Sequence, residues 1–232
     1  MLVVITGGSR GIGKSIALKF AKAGHKVILS SKSAEHLSEA KSFIIAESKN
    51  EDIHSFCCDL SEKKEVERFA AFCLTHGAPD VLVNNVGNYL PGNCMDEPEG
   101  TMESMLAVNF YSAYYLTRAL LPSMISRKSG HIFNLCSIAS LKAYKGGGSY
   151  SVSKFALNGF SQNLRQELMP FGIKVTAIFP GAVYTDTWGD FDNSSHRIME
   201  AEDISKMVFA ASQLSSSAVV EEITIRPQLG DL

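Results

Sequence analysis

Leu2-Val3-Val4-Ile5-Thr6-Gly7-Gly8-Ser9-Arg10-Gly11-Ile12-Gly13-Lys14-Ser15 is the stretch on which the reading of this chain turns. Its first five residues form a short apolar run of the kind found in strands buried on both faces. After the glycines, Ile16, Ala17 and Phe20 recur at helical spacing until Gly24 ends the period. Val27-Ile28-Leu29 is a second apolar run, so strand, glycine turn, helix and strand make a βαβ unit. In such a unit the glycine turn meets a helix N-terminus, where free amides and the helix dipole can cradle a phosphate.

The alternation continues outward from that unit. Periodicity predicts helices over about 34–48, 62–74, 105–125, 150–168 and 201–214, with Pro122 near the end of the third. Between and after them, strands are expected over about 53–57, 81–84, 131–135, 173–179 and 223–226. Strands alternating with helices throughout imply an α/β fold with one doubly wound parallel sheet and helices on both faces. No repeat or low-complexity linker interrupts the 232 residues, so 1–232 reads as a single domain. A polar stretch at about 184–200 stands apart as a loop over the site.

Composition narrows the possible functions. Hydrophobic residues make up 45% and charged residues 20%, as in ordinary globular domains. A formal net charge of −2 offers no general basic surface for nucleic acid. The five cysteines, Cys57, Cys58, Cys73, Cys94 and Cys136, form no C-x-x-C pair, and the odd count points to reduced thiols in a cytoplasmic protein. Six scattered histidines without metal-ligand spacing argue against a metal site. No apolar run approaches the ~18 residues of a membrane span. Met1 leads directly into the first strand without a charged n-region, so no targeting segment and no membrane partner are expected.

The glycine turn itself fits two patterns. Gly8-x-x-x-x-Gly13-Lys14-Ser15 satisfies the P-loop expression of nucleotide hydrolases, which would place Lys14 on the β/γ-phosphates. A P-loop site also needs an acid at the end of a neighbouring strand to hold Mg²⁺. Strand 81–84 instead runs into Asn85-Val86-Gly87, although Asp59 after strand 53–57 can imitate such an acid. The dinucleotide pattern G-x-G-x-x-G is not met either, because Ile16 stands where its third glycine belongs.

Further along, Tyr150 and Lys154 are i and i+4 neighbours on a predicted helix, so phenol and ammonium share one face. A fixed ammonium favours the phenolate and lowers a pKa that is ~10 in the free residue, which would suit proton transfer nearer neutral pH. Such a pair also arises by chance on amphipathic helices. Ser137 ends a predicted strand, Asn109 lies within a helix, and Pro180-Gly181 forms a turn after another strand; each has an ordinary structural reading too. Ligands of open α/β sheets bind beyond the carboxyl ends of the strands, where Ser137 and Pro180 both fall.

Taken in order, Thr6-Gly7-x-x-x-Gly11-x-Gly13, Asn84-Asn85-Val86-Gly87, Val108-Asn109, Asn134-Leu135-Cys136-Ser137, Tyr150-x-x-x-Lys154 and Pro180-Gly181 with Thr185 resemble the motifs of the short-chain dehydrogenase/reductase family. The resemblance runs from Thr6 to the segment after Pro180-Gly181 and departs at Val86, where the family carries alanine. It implies a Rossmann-type sheet and hydride transfer between a nicotinamide and a carbonyl or alcohol. Tyr150 is then the proton donor, Ser137 a second hydrogen bond to the carbonyl oxygen, Lys154 the residue that lowers the Tyr150 pKa and holds the nicotinamide ribose, and Asn109 the anchor of a proton-relay water. The same resemblance places the dinucleotide on Gly7, Ser9, Arg10, Gly11, Ile12, Gly13, Ser31, Lys32, Asp59, Leu60, Asn85, Gly87, Tyr150, Lys154, Pro180, Gly181, Val183 and Thr185.

Among dinucleotides NADP is favoured. NAD sites carry an acid at the end of the second strand, and here Leu29-Ser30-Ser31-Lys32 has none, while Arg10 and Lys32 can approach a 2′-phosphate. The substrate pocket is expected from Asn88 and Tyr89, residues 138–144, and residues 184–191. Trp188 with Asp186 and Asp190 would suit a flat heterocycle bearing amino groups, or Trp188 simply packs the loop. The wording around Pro180 and the ending Glu221-Glu222-Ile223 to Asp231 are similar to compact bacterial sepiapterin-reductase-type members. A 3-oxoacyl-carrier-protein reductase is the alternative. A non-catalytic dinucleotide-binding regulator is more remote, since serine, tyrosine and lysine are all present. Apolar residues on more than one face of helices 111–126 and 151–168 imply a homodimer or homotetramer, as the resembling family commonly forms.

Overall fold

In the computed structural model, which describes residues 1–231, the first βαβ unit is formed by β1 (Leu2–Thr6), α1 (Gly11–Lys22) and β2 (Lys26–Ser31). The chain continues through α2 (Ala34–Ser48), β3 (Ile53–Cys57), α3 (Lys63–Thr75) and β4 (Val81–Asn84). Then come α4 (Thr101–Leu106), α5 (Ser112–Arg127), β5 (Gly130–Leu135), α6 (Gly148–Leu168) and β6 (Ile173–Pro180). Two short strands, β7 (Val183–Tyr184) and β8 (Met199–Glu200), precede α7 (Ala201–Ser212) and β9 (Glu222–Ile225).

The seven-stranded sheet has the order β3-β2-β1-β4-β5-β6-β9, every neighbouring pair parallel, and is Rossmann-like. Alternate residues of each strand point to opposite faces, and both faces are covered. On one side Val3, Ile5, Val27, Leu29, Val83 and Phe133 pack on Ile16 and Phe20 of α1, Leu37 and Ile44 of α2, and Ile204 and Val208 of α7. On the other, Val4, Ile28, Leu82, Ile132 and Val175 pack on Phe69 of α3, Leu116 and Leu120 of α5, and Leu164 of α6. Because all strands run one way, their carboxyl ends lie on one edge, and the strand order reverses between β1 and β4.

Helix 105–125 differs from its expected form. It is divided by a π-helical turn, Ala107–Tyr111, between α4 and α5. One extra residue per turn distorts the regular i+4 ladder there, and Asn109, buried in this turn, is brought against the end of β4. The 184–200 segment is not wholly irregular: Val183 and Tyr184 pair with Met199 and Glu200 in a two-stranded parallel ribbon. No helix of the described residues is long and apolar enough to cross a membrane.

A polar seam crosses the interior. Asn84 Nδ2 donates to Thr117 Oγ1 at 3.0 Å and to Asn134 Oδ1 at 2.8 Å, and Asn134 Nδ2 donates to Ser161 Oγ at 2.8 Å. These bonds tie β4, β5, α5 and α6 together, so the ends of β4 and β5 keep fixed positions relative to the helix that follows.

His131 on β5 is buried, with Nε2 2.7 Å from Thr176 Oγ1. Burial, helped by the Lys174 charge, pulls its pKa down to about 3. The neutral ring is thus native, while the unfolded chain takes up a proton as pH falls below ~6.5. Stability should be full above that pH and decline toward about 3, by up to ~1.4 kcal/mol per pH unit. Urea unfolding at pH 7 and pH 5 checks this: His131→Gln should flatten part of the decline, and an identical slope in the variant would exclude His131 as its source.

Candidate active site

The glycine turn is closed by contacts from the neighbouring strand. Thr6 Oγ1 accepts from the amides of Asn85 and Val86, both at 2.9 Å. Asn85 Nδ2 donates to Thr6 O at 2.8 Å and to Gly7 O at 3.1 Å. Gly13 sits so close beneath Gly7 that a Cβ there would strike the Gly7 carbonyl, which brings the start of α1 against the end of β1. Arg10, at the N-cap of α1, gives no side-chain cap, and the first turn holds no acid. By contrast α2 is capped by Ser33, whose hydroxyl accepts from His36 N, and α7 by Glu200 with Asp203. A helix start left uncapped by its own side chains at the carboxyl edge of β1 suits a phosphate.

Lys14 does not reach into this turn. Its ammonium lies 4.0 Å from the Phe43 ring centroid, over α2. The P-loop reading therefore has no phosphate-binding lysine.

The other sequence-predicted cofactor residues are gathered along the same edge. Ser9 Oγ donates to Ser31 Oγ at 2.9 Å, joining the turn to the end of β2, and Lys32 beside them is exposed. Asp59 accepts from Ser61 N at 3.0 Å and Ser61 Oγ at 2.7 Å. Burial opposes its charge, but those bonds and the Lys32 charge hold its pKa below the usual carboxylate value. The Leu60 side chain is turned into the core, leaving its backbone toward the edge. Ile12 is half-buried against the core. Pro180 ends β6, and Gly181 N donates to Ile225 O at 2.8 Å. Val183 is buried, and Thr185 lies over Gly11, where a Cβ would come within 2.9 Å of Thr185 Cγ2. Arg10 Nε is 3.6 Å from Asp186 Oδ2, so the exposed guanidinium, expected to meet a 2′-phosphate, here pairs with the loop.

Ser137, Tyr150 and Lys154 come together beyond β5. The Ser137 oxygen accepts from Ala139 N at 3.1 Å, which fixes the hydroxyl and leaves its proton to donate. Lys154, only 5% exposed, donates from Nζ to Leu135 O at 2.8 Å. A Cβ on Gly87 would lie 3.4 Å from that Nζ and 3.2 Å from Asn109 Oδ1, so the end of β4 passes directly beside the ammonium.

One expectation is corrected by this geometry. The Tyr150 pKa is raised, not lowered: burial is the dominant cause, the hydrogen bond with Ser137 opposes it, and Tyr89 and Cys136 add to it. Lys154 Nζ stands 5.9 Å from the Tyr150 ring centroid, directed at the Leu135 carbonyl, and burial pulls its own pKa down to about 8. Asn109 has a side chain committed to protein groups. Its Oδ1 accepts from Asn88 N at 2.7 Å, and its Nδ2 donates to Asn88 O at 3.0 Å and Ser153 Oγ at 2.9 Å.

Around this centre, Tyr89 meets Tyr150 edge to face, with centroids 4.9 Å apart. Trp188 donates from Nε1 to Val183 O at 2.8 Å and leans on Phe191 at 5.2 Å, so it packs the loop on itself. Among the described residues no group of three or more His, Cys, Asp or Glu could hold a metal ion. One residue escaped the sequence reading: Glu97, between β4 and α4, accepts from Ser149 N at 2.9 Å and from Ser149 Oγ. Its sequence signal is indirect. The run Gly146-Gly147-Gly148 at the start of α6 offers no side chain to cap that helix, so the cap has to come from elsewhere.

A sheet with this strand order, and a serine, tyrosine and lysine at its carboxyl edge, defines a dinucleotide-fold oxidoreductase. A family model described as short chain dehydrogenase matches residues 1–195, and the chain belongs to that family. A sepiapterin reductase of Chlorobaculum tepidum is 34% identical over 240 residues, which cover 100% of this chain and 98% of that protein. An uncharacterised oxidoreductase of Staphylococcus saprophyticus is 34% identical over 227 residues, 97% of each chain. The crystal structure of a metagenomic short-chain oxidoreductase in complex with NADP superposes with a TM-score of 0.86 at 32% identity, covering 98% of this chain and 97% of that one.

Proposed function

We propose that the protein is an NADP(H)-dependent reductase that protonates a substrate carbonyl from Tyr150. The observation that carries this reading is the convergence of Ser137, Tyr150 and Lys154 at the carboxyl ends of β4 and β5. When bound, NADPH supplies the hydride. The uncapped start of α1 would hold its pyrophosphate, and Lys154, Gly87 and the Pro180 to Thr185 turn would receive its nicotinamide end. Negative charge then grows on the substrate oxygen, and Ser137 and Tyr150 stabilise it by hydrogen bonds. Tyr150 gives up its proton, and the hydrogen bond from Ser137 favours the phenolate that remains. A phenol with a raised pKa is fully protonated at neutral pH, which suits reduction; alcohol oxidation needs the phenolate and should accelerate as pH rises.

For the substrate, the reading favours a flat heterocyclic ketone of pterin type. Support comes from the 34% identity to a sepiapterin reductase and from the aromatic wall that Tyr89 forms beside Tyr150. A panel containing a pterin side-chain ketone, a diketone and an acetoacetyl thioester, followed by nicotinamide absorbance, tests the class; turnover of the thioester alone would favour an acyl-carrier-protein reductase instead. In the same assay Tyr150→Phe should keep cofactor binding and lose at least ~10²-fold in kcat. Near-wild-type turnover in that variant would overturn the mechanism.

The cofactor assignment rests on charge. Arg10 and Lys32 both flank the end of β2, where no acid stands to bind a ribose diol. Turning Arg10 away from Asp186 costs little, since both side chains are 59% exposed. A charge-assisted bond to a 2′-phosphate contributes ~1.5–3 kcal/mol before exposure reduces it, so NADPH should be preferred ~10-fold or more. Arg10→Ala with Lys32→Ala should raise KM for NADPH and leave NADH nearly unchanged. Ser31→Asp should shift preference toward NADH. Equal use of both cofactors by the unaltered enzyme would exclude the assignment.

The reading extends to a homodimer or homotetramer. Leu116, Leu120, Leu157 and Leu164 face inward, yet Tyr111 and Phe155 remain exposed on the outer faces of the π turn and α6. Phe110, Tyr114 and Phe160 lie beside them in one aromatic cluster. A second copy is the occupant that would cover such a face. Sedimentation at micromolar concentration should give a multiple of the 25.2 kDa chain mass, and a single-chain mass would exclude it.

A further inference from the structure

We infer that Glu97 is a positioning residue for the proton donor, holding the first turn of α6 against the loop that walls the substrate side of the cleft. The inference rests on the reading of Tyr150 as that donor. A helix leaves its leading amides without intrahelical partners. For α6, the longest helix among the described residues at 21 residues, the N-cap is Gly147 and supplies no side-chain acceptor. Glu97, 52 residues before Ser149, takes that part. Its Oε1 accepts from Ser149 N at 2.9 Å, and its Oε2 accepts from the Ser149 hydroxyl. Ser149 itself is fully buried. A carboxylate at a helix N-terminus is also favoured by the aligned peptide dipoles.

The seat for this carboxylate is built on both sides. A Cβ on Gly148 would collide with Glu97 Oε1, and it would lie 2.7 Å from Gly92 O. A Cβ on Gly92 would come within 2.8 Å of Glu97 Cγ. Gly92 N donates to Gly146 O at 3.0 Å, closing the loop onto the residues before the helix. Two glycines thus leave the room in which the Glu97 side chain lies.

What the carboxylate holds is the residue next to Tyr150. The loop between β4 and α4 is fastened to α6 at two points: Asn88, through Asn109 to Ser153, and Glu97 to Ser149. Tyr150 lies between those points on the helix. Tyr89, on the same loop, meets its ring edge to face. Releasing Glu97 frees the Ser149 end while leaving the Ser153 end fastened, so the phenol is displaced while Lys154 and the glycine turn stay in place.

The test uses Glu97→Ala and Glu97→Gln, with NADPH fluorescence titration counting the folded, binding-competent sites. Displacing a reacting group by about 1 Å can cost ~10²-fold, so a looser first turn should lower kcat per site by ~10-fold in Glu97→Ala. Cofactor affinity should stay within about two-fold and substrate KM should change less than kcat, because the bonds from Glu97 to Ser149 lie within the protein and touch neither ligand. Glu97→Gln keeps an acceptor for Ser149 N and should recover most of the loss. Amide exchange at Ser149, Tyr150 and Ser151 should quicken in the alanine variant, a readout independent of turnover.

Wild-type kcat per site in Glu97→Ala, unchanged exchange in that turn, or equal damage in both variants would overturn the inference. Should Glu97→Ala fold too poorly to assay, Ser149→Ala reads the same contact: a few-fold loss of kcat at unchanged cofactor affinity is expected, and wild-type kcat overturns it. Activity retained in Tyr150→Phe refutes the catalytic reading itself; an inactive Tyr150→Phe beside a fully active Glu97→Ala refutes only the role of Glu97.

Discussion

Past Ile5 and Val83, the last pair of the β1–β4 ladder, a side chain takes over from the backbone in joining the two strands. The Thr6 hydroxyl accepts the amides of Asn85 and Val86, and the Asn85 amide returns two bonds to the carbonyls of Thr6 and Gly7. The sheet reverses its order here, so neighbouring connections leave toward opposite faces and a crevice opens between them. Without this clamp the glycine turn and the end of β4 would be two independent loops. With it, the turn that starts α1 and the Gly87 backbone beside Lys154 belong to one rigid edge. Ser137, just past β5, and Tyr150 and Lys154 on α6 are then referred to the same edge through the Asn84–Asn134–Ser161 seam.

That rigidity is what makes a buried ammonium tolerable. Removing a lysine from water is costly unless its donors are satisfied, and the outcome is a pKa displaced toward the neutral form. Lys154 shows both sides of this balance: it is bonded to Leu135 O, and its pKa is still drawn down to about 8. Tyr150 is shifted the other way by the same desolvation. A simple pair argument, in which the cation acidifies the phenol, fails here because burial acts on both groups and the ammonium is aimed at a carbonyl. The buried phenol is therefore held in its protonated form, hydrogen-bonded to Ser137.

How much of this was legible in the chain depended on distance. The βα alternation located every strand of the main sheet: the central strands, buried on both faces, read as apolar runs, and the more polar edge strands β3 and β9 follow from their place in the alternation. Boundaries such as 34–48, 53–57 and 81–84 agree with the structure residue for residue. Of the candidate site residues, Ser137 was legible from its place after a strand end, while Tyr150 and Lys154 were legible from their i, i+4 spacing and the resemblance. The π turn at Asn109 was not, since one residue added to a helical period leaves the apolar pattern almost unchanged over a few turns. Nor was the partner of Arg10, because an exposed side chain carries no periodic signal. Glu97 is the extreme case: only the absence of a cap before α6 hinted that a residue 52 positions away was needed.

The two sides of the cleft are held by contacts of different strength. On the catalytic side the fastenings are buried: Asn109 to Ser153, Lys154 to Leu135 O, Ser151 Oγ to Ala139 O at 2.9 Å. Each would leave an unsatisfied buried group if broken, at a cost of ~1–3 kcal/mol. On the other side the loop after β6 meets the glycine turn through Thr185 over Gly11 and the exposed Arg10–Asp186 pair. An exposed ion pair contributes ~0–1 kcal/mol. Within the loop, Trp188 packs on Phe191 and donates to Val183 O, while Val183 and Met199, the two sides of the short ribbon, are buried in the core. Local opening follows the weakest contacts first. Ser137, Tyr150 and Lys154 are thus held among buried bonds, while the exposed Arg10–Asp186 pair is the contact across the crevice that opens at least cost.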